Sequence, residues 1–183
     1  MPRRYIDLIK LALSQVAPEF FRIRTTYNHV GIVRERVFCY ELYHQIRSNM
    51  QENHALSIHG EIDKSGHHDF LQQDRLNPDF VFHFPGTHEG NTLVVEVKGS
   101  LRDSKGLIKD FNTLLTFVGN YHYAAGVFIL YNHSINELIE RIGRALEKIG
   151  TSPYASSVFI ITIQEPLAEC NEFALSSLNA PTD

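Results

Sequence analysis

Residues 125–131 read Ala-Gly-Val-Phe-Ile-Leu-Tyr, with no polar interruption. A strand with one wet face alternates apolar and polar residues, so this run predicts a strand covered on both faces. Such a strand belongs near the centre of a sheet with helices above and below it. The flanking segments supply those helices. Leu107, Phe111, Leu114, Leu115 and Val118 recur at helical spacing over 104–118. Ser134-Ile135-Asn136-Glu137 has the pattern of a capping box, the serine capping a helix and the glutamate reaching back. That helix is expected to run to Lys148, with Gly150 as its stop. Val158 to Ile163 reads as a further apolar strand.

Upstream, Ala55 to Ile62 alternates and predicts a strand, and the polar residues 63–77 predict a loop. Phe80 to Phe84, stopped by Pro85-Gly86, and Thr92 to Val97 predict two strands. The short link through Gly90-Asn91 makes them an antiparallel hairpin. Nearer the N-terminus, Ile6, Ile9 and Leu13 mark an amphipathic helix over 3–16, expected to end at Pro18. Residues 19–31 read as irregular or extended. A second helix over 32–49 puts Glu35, Phe38, Leu42 and Ile46 on one stripe.

With 183 residues, 43% of them hydrophobic, the chain suffices for one domain. Its core covers about 31–163, with an N-terminal helix and extension over 1–30 and a polar tail over 164–183 expected to trail over the surface or fray. The fold class is α/β: a mixed β-sheet flanked by helices, with core order α-β-β-β-α-β.

Three charged residues interrupt the hairpin: Asp79 at the start of one strand, and Glu96 and Lys98 near the end of the other. Glu96 and Lys98 are two apart on a strand and share a face. Leu93, Val94 and Val95 form an apolar run, so this strand also looks covered on both sides. A carboxylate there costs free energy unless it is paired or metal-bound. If the hairpin extends slightly past its apolar runs, Asp79 lies beside Glu96. Two converging carboxylates make an oxygen-only site suited to Mg²⁺ or Mn²⁺ rather than zinc. A lysine beside such a site can orient or help deprotonate a water, or stabilise charge on a phosphate. These parts suit phosphodiester hydrolysis. A structural ion pair, Glu96–Lys98 or Asp79–Lys98, is the competing reading.

Pro78-Asp79, then Glu96-Val97-Lys98 after a 16-residue gap, resembles the PD-(D/E)XK nuclease superfamily, of restriction-endonuclease-like fold. The likeness covers about residues 31–131 and includes the element order. It implies a Mg²⁺-dependent endonuclease acting on nucleic acid, DNA first, with Asp79 and Glu96 as metal ligands and Lys98 as a catalytic residue. Many members also carry a glutamate on the helix before the first strand. Glu35 and Glu41 are the candidates here. Glu35-Arg36 before an apolar stripe is similar to the opening helix of archaeal Holliday-junction resolvases. That stripe favours Glu35 as a third metal ligand. Glu41-Leu42-Tyr43-His44-Gln45 and His59-Gly60-Glu61-Ile62-Asp63-Lys64 are also similar to uncharacterised bacterial members, which bring no substrate. A non-catalytic nucleic-acid-binding subunit that keeps the fold is the rival function.

A net charge of -4 argues against coating nucleic acid by bulk charge, but not against a local basic patch. Arg34, Arg36, Arg47, Arg102, Lys105 and Lys109 are candidates for phosphate contacts. Arg141, Arg144 and Lys148 read as a solvated helix face. Cys39 and Cys170, the only cysteines, have no CxxC spacing, which fits a reducing cytoplasmic location. No apolar run is long enough to span a membrane, and the first residues lack a signal-peptide pattern. His54, His59, His83 and His88 show no ligand spacing, and His67-His68-Asp69 reads as a solvated loop. A homodimer presenting two sites to a duplex fits a domain of this size.

Overall fold

A computed structural model describes residues 2–50, 56–60, 76–86 and 90–179. In chain order the elements are α1 (Pro2–Leu13), α2 (Pro18–Phe21), β1 (Ile23–Thr25), β2 (Asn28–Ile32), α3 (Glu35–Asn49), β3 (Ser57–Gly60), β4 (Phe80–His83) and β5 (Leu93–Lys98). There follow α4 (Ser104–Asn120), β6 (Ala125–Tyr131), α5 (Ile135–Gly150), β7 (Val158–Ile163) and β8 (Asn171–Ala174). The main sheet has the order β3-β4-β5-β6-β7-β8. β3, β4 and β5 form an antiparallel meander, β5, β6 and β7 run parallel, and β8 returns antiparallel at the edge. The core order α-β-β-β-α-β expected from the sequence is present as α3, β3, β4, β5, α4 and β6.

β6 is central and buried throughout. Its alternate residues feed two cores. Ala125, Val127, Ile129 and Tyr131 pack with Ile6, Ile9 and Leu13 of α1 and Phe38, Leu42 and Ile46 of α3. Phe128 and Leu130 pack with Leu107, Phe111 and Leu114 of α4 and Leu138 and Leu146 of α5. Each such side chain contributes on the order of 2 kcal/mol by leaving water. Both parallel crossovers therefore lie on one face, as two crossovers advancing in one direction across a sheet must. The capping box forms: Glu137 N–H donates to Ser134 Oγ, and Ser134 N–H donates to Glu137 Oε2.

Several expectations are refined, among them the start of α3, which is Glu35 rather than residue 32. α1 stops at Leu13, and Pro18 opens the short helix α2, where its fixed φ and missing N–H suit a first turn. Residues 23–32 form a separate β1–β2 hairpin. Gly150 is the last residue of α5, and Thr151 caps it. The segment from 164 does not simply trail away: β8 pairs with β7, and Leu175 is buried. Its polar composition reflects its edge position, where Glu172 ion-pairs with Arg3 and Lys10 of α1 while Phe173 packs inward. Among the described residues no helix is long and apolar enough to cross a membrane.

Candidate active site

The hairpin ladder puts Phe80 opposite Val95 and Val81 opposite Val94. One step further, Asp79 comes opposite Glu96. Asp79 Oδ2 accepts the Val97 N–H at 2.7 Å, which continues the contact between the strands by a side chain where the ladder ends. Alternation on β5 sends Val95 and Val97 toward α1 and α3, and Val94 toward α4. Glu96 and Lys98 share the face of Val94 and therefore lie toward α4. Glu96 is only 6% exposed. Among the described residues it has no hydrogen bond or ion pair. A lone buried carboxylate costs several kcal/mol, more than burial of a valine beside it returns. Packing alone does not account for Glu96.

Lys98 gathers two further acids. Glu35 is the first residue of α3, which starts above the C-terminal end of β5. Its Oε1 accepts the Gly99 N–H at 3.3 Å, and its Oε2 lies 3.4 Å from Lys98 Nζ. Asp110 Oδ2, on α4, lies 3.2 Å from the same ammonium. That contact is an ion pair without hydrogen-bond alignment, so Oδ2 is buried with no hydrogen-bond partner. Lys98 pairs with neither Glu96 nor Asp79, so neither structural ion pair open to the sequence is formed.

Four carboxylates thus surround one partly buried ammonium. Burial pushes the Asp79 carboxyl up to about 6; the Val97 N–H and Lys98 oppose the rise, and Asp110 and Glu35 add to it. Burial lifts Glu96 well above the glutamate range, with Asp79 and Asp110 adding repulsion. Burial also raises Asp110, against the pull of Lys98. For Lys98 burial works downward, but Asp110 and Glu35 outweigh it and hold the ammonium above its ordinary range. The cluster is over-supplied with negative charge.

No family model, curated protein or solved structure matches the chain. The site must therefore be read from its own geometry. It brings together all four residues singled out by sequence, Glu35, Asp79, Glu96 and Lys98. Glu41 is elsewhere on α3, where it accepts a 2.6 Å hydrogen bond from Gln45 Nε2. Asp110 was missed. It occupies an inward position, three after Leu107 and four before Leu114, and an acid in that stripe was the available signal. Arg141 is not merely solvated: its Nη2 donates to the Arg102 carbonyl at 2.8 Å. Arg47 lies at the far end of α3, about 18 Å of helix from Glu35. Lys105 and Lys109 are exposed on α4. His59 Nδ1 and His83 Nε2 lie 2.8 Å apart across β3 and β4, a contact that sequence spacing gave no reason to expect. Glu61, Asp63, His54, His67, His68, Asp69 and His88 lie outside the described residues.

Among the described residues no three acid, histidine or cysteine side chains close on one point. Asp79 is turned to the Val97 N–H, and Glu35 and Asp110 are turned to Lys98. The donor set nevertheless fits a hard divalent cation. All of its ligand atoms are carboxylate oxygens, and Glu96 and Asp79 sit opposite each other with no ion pair to either among the described residues.

Gly99 sets the backbone that Glu35 holds. A Cβ there would overlap the Tyr131 ring and hydroxyl. Tyr131 cannot yield, since it stacks on Phe38 at 3.8 Å and meets Phe21 edge-on. Gly99→Ala is expected to destabilise the protein by about 1–3 kcal/mol, the range for overpacking, measured by denaturant unfolding. A variant as stable as the parent would show that this strand end shifts freely.

Proposed function

We propose that the chain is a Mg²⁺- or Mn²⁺-dependent nuclease of the PD-(D/E)XK kind, hydrolysing phosphodiester bonds in nucleic acid, DNA first. The observation that carries this reading is Glu96: a buried carboxylate with no hydrogen bond or ion pair among the described residues, facing Asp79 across the hairpin, beside a lysine held by two other acids. Asp79 and Glu96 would hold the cation, with Glu35 at the rim directly or through water. When bound, a divalent ion supplies Lewis acidity toward a phosphate oxygen and a more acidic water.

The chain's own residues do the rest. Asp110 and Glu35 favour the ammonium form of Lys98. It serves as a fixed positive charge for a non-bridging phosphate oxygen or as a donor that orients the attacking water. Glu35 and Asp110 fix Nζ from two sides, which sets where that charge points. The non-catalytic binding subunit is disfavoured by the same set, since binding alone gives no reason to bury Glu96 beside Asp79 and Asp110 without an ion pair among the described residues.

The test is a cleavage panel with Mg²⁺ and Mn²⁺ over single-stranded, duplex and branched DNA and over RNA, run beside thermal melting. Metal-dependent cleavage and a rise in Tm with either ion are expected. An unmoved Tm and no cleavage of any substrate would leave the acids as a structural cluster. In the same assay Glu35→Gln is expected to slow cleavage at least tenfold while Glu41→Gln leaves it within about twofold, because Glu35 contacts Lys98 and Glu41 contacts Gln45 instead. The opposite order would move the helix acid to Glu41.

A further inference from the structure

Two clefts flank the site and meet at Glu35. One, of about 420 Å³, lies between α3 and the β3–β4 edge and is lined by Arg36, Tyr40 and Asp79 as well as Glu35. The other, of about 1080 Å³, runs from Glu35 past Gly99 to the β1–β2 hairpin. Arg22, Arg34, Arg102 and Arg141 line it. The acids in its lining are Glu35 and Glu137, and Glu137 is engaged in the cap of α5 and by His133. A chain of net charge -4 has thus gathered four guanidiniums in one groove beside its acidic cluster.

An exposed aromatic ring lines the first cleft, and another stands beside the second. Tyr40 is 64% exposed on the wall of the first. Tyr27 is 97% exposed at the turn of the hairpin, next in sequence to Asn28 of the second. The turn that presents Tyr27 is tied down. Asn28 Oδ1 accepts the Val30 and Gly31 N–H groups, both at 3.1 Å. Gly31 has φ +89°, and a Cβ there would come within 2.9 Å of Arg22 Cβ. The hairpin therefore backs closely onto an arginine of the groove. Guanidiniums pair with phosphates, and an open tyrosine ring stacks on a base. In a duplex both faces of a base are already stacked, so a free ring is matched by an unpaired one.

We infer that an unpaired nucleic-acid strand lies across the two clefts, with phosphates on the arginines of the hairpin-side groove and bases stacked on Tyr27 and Tyr40. The nuclease reading says what happens to that strand at Glu35 and Lys98; the binding itself does not depend on it.

Fluorescence anisotropy in EDTA with labelled single-stranded DNA, single-stranded RNA and duplex DNA of the same sequence tests this. The single strand, as DNA or RNA, is expected to bind more tightly than the duplex, and the DNA and RNA arms show which sugar is preferred. Tyr27→Ala should weaken single-strand binding roughly tenfold and leave the duplex nearly unchanged, with Tyr27→Phe restoring it, as stacking requires. Arg102→Gln should weaken all three probes and reduce the slope of log affinity against log salt for the single strand by about 0.7, one phosphate contact. The inference is overturned if the duplex binds as well as the single strand, if Tyr27→Ala leaves single-strand binding unchanged, or if Tyr27→Phe fails to restore it. Tyrosine-dependent binding in EDTA without cleavage in Mg²⁺ or Mn²⁺ would remove the nuclease reading and keep this one. Cleavage of fully paired duplex with no effect of Tyr27→Ala would do the reverse.

Discussion

Lys98→Met is expected to lower the single-turnover cleavage rate by roughly two to four orders of magnitude, the scale for losing a positioned electrostatic or acid–base group. Methionine keeps most of the stem volume and removes the ammonium. Glu35 and Asp110 then face each other without the charge that now lies 3.4 Å and 3.2 Å from them. Their repulsion, added to that of Asp79 and Glu96, raises the negative potential at the site. Mn²⁺ should therefore bind as well or more tightly, which titration calorimetry measures. Tight metal with slow chemistry is the signature of a residue that acts on the reacting phosphate or water. Because Lys98 is partly buried and doubly paired, a melting curve must accompany the rate so that only folded protein is counted. A near-normal rate would remove Lys98 from the mechanism and reduce its two ion pairs to architecture.

Legibility tracked how much of each segment's pattern is imposed by the core. β6 and the 104–118 helix were readable because burial on a face leaves a period in the sequence. β8 and the β1–β2 hairpin were not. Asn171-Glu172-Phe173-Ala174 is a short edge strand with exposed and half-buried positions, and its Glu172 is there for α1's basic side chains. The hairpin is held mainly by its own pairing, and its exposed Tyr27 and Val30 give no inward stripe. In the site, Asp79, Glu96 and Lys98 stood out because they break apolar runs. Glu35 followed from the phase of α3, although it reaches Lys98 past the end of β5 rather than over its face. Asp110 lies on the stripe of Leu107 and Leu114, whose phase the sequence already sets, but unlike the hairpin acids it is one polar residue in a helix with other polar positions and breaks no continuous apolar run. Arg141 shares the spacing of Arg144 and Lys148 and was grouped with them. Only the three-dimensional approach to the Arg102 carbonyl separates it.

The strongest test of the acids combines loss of function with a gain in metal-free stability. Asp79→Asn is expected to abolish cleavage and the metal-dependent rise in Tm, yet to stabilise the metal-free protein at about pH 7.5. Burial has lifted the Asp79 carboxyl from 3.8 to about 6, so the folded chain keeps a proton that the unfolded chain releases in between. Where the folded state binds more protons, stability falls as pH rises. The contribution of this group is therefore best below its unfolded value, declines through the interval and is fully lost above about 6. Integrated over that interval, the ionised carboxylate costs up to about 3 kcal/mol at neutral pH. Asparagine carries no such penalty, and its side-chain carbonyl can still accept the Val97 N–H. The advantage of the variant should shrink between about pH 6 and 4 as the parent's own carboxyl becomes protonated. Comparing the two proteins at each pH cancels the opposite trend of Glu172 and Glu137, whose partners lower their pKa values and whose contributions fade in acid. Glu96→Gln should act in the same direction, because burial, with Asp79 and Asp110, raises that group as well. Saturating Mn²⁺ should reverse the ranking, since only the parent retains both ligands. If both variants melt lower than the parent at every pH without metal, the carboxylates support the fold rather than oppose it, and the acid cluster is structural.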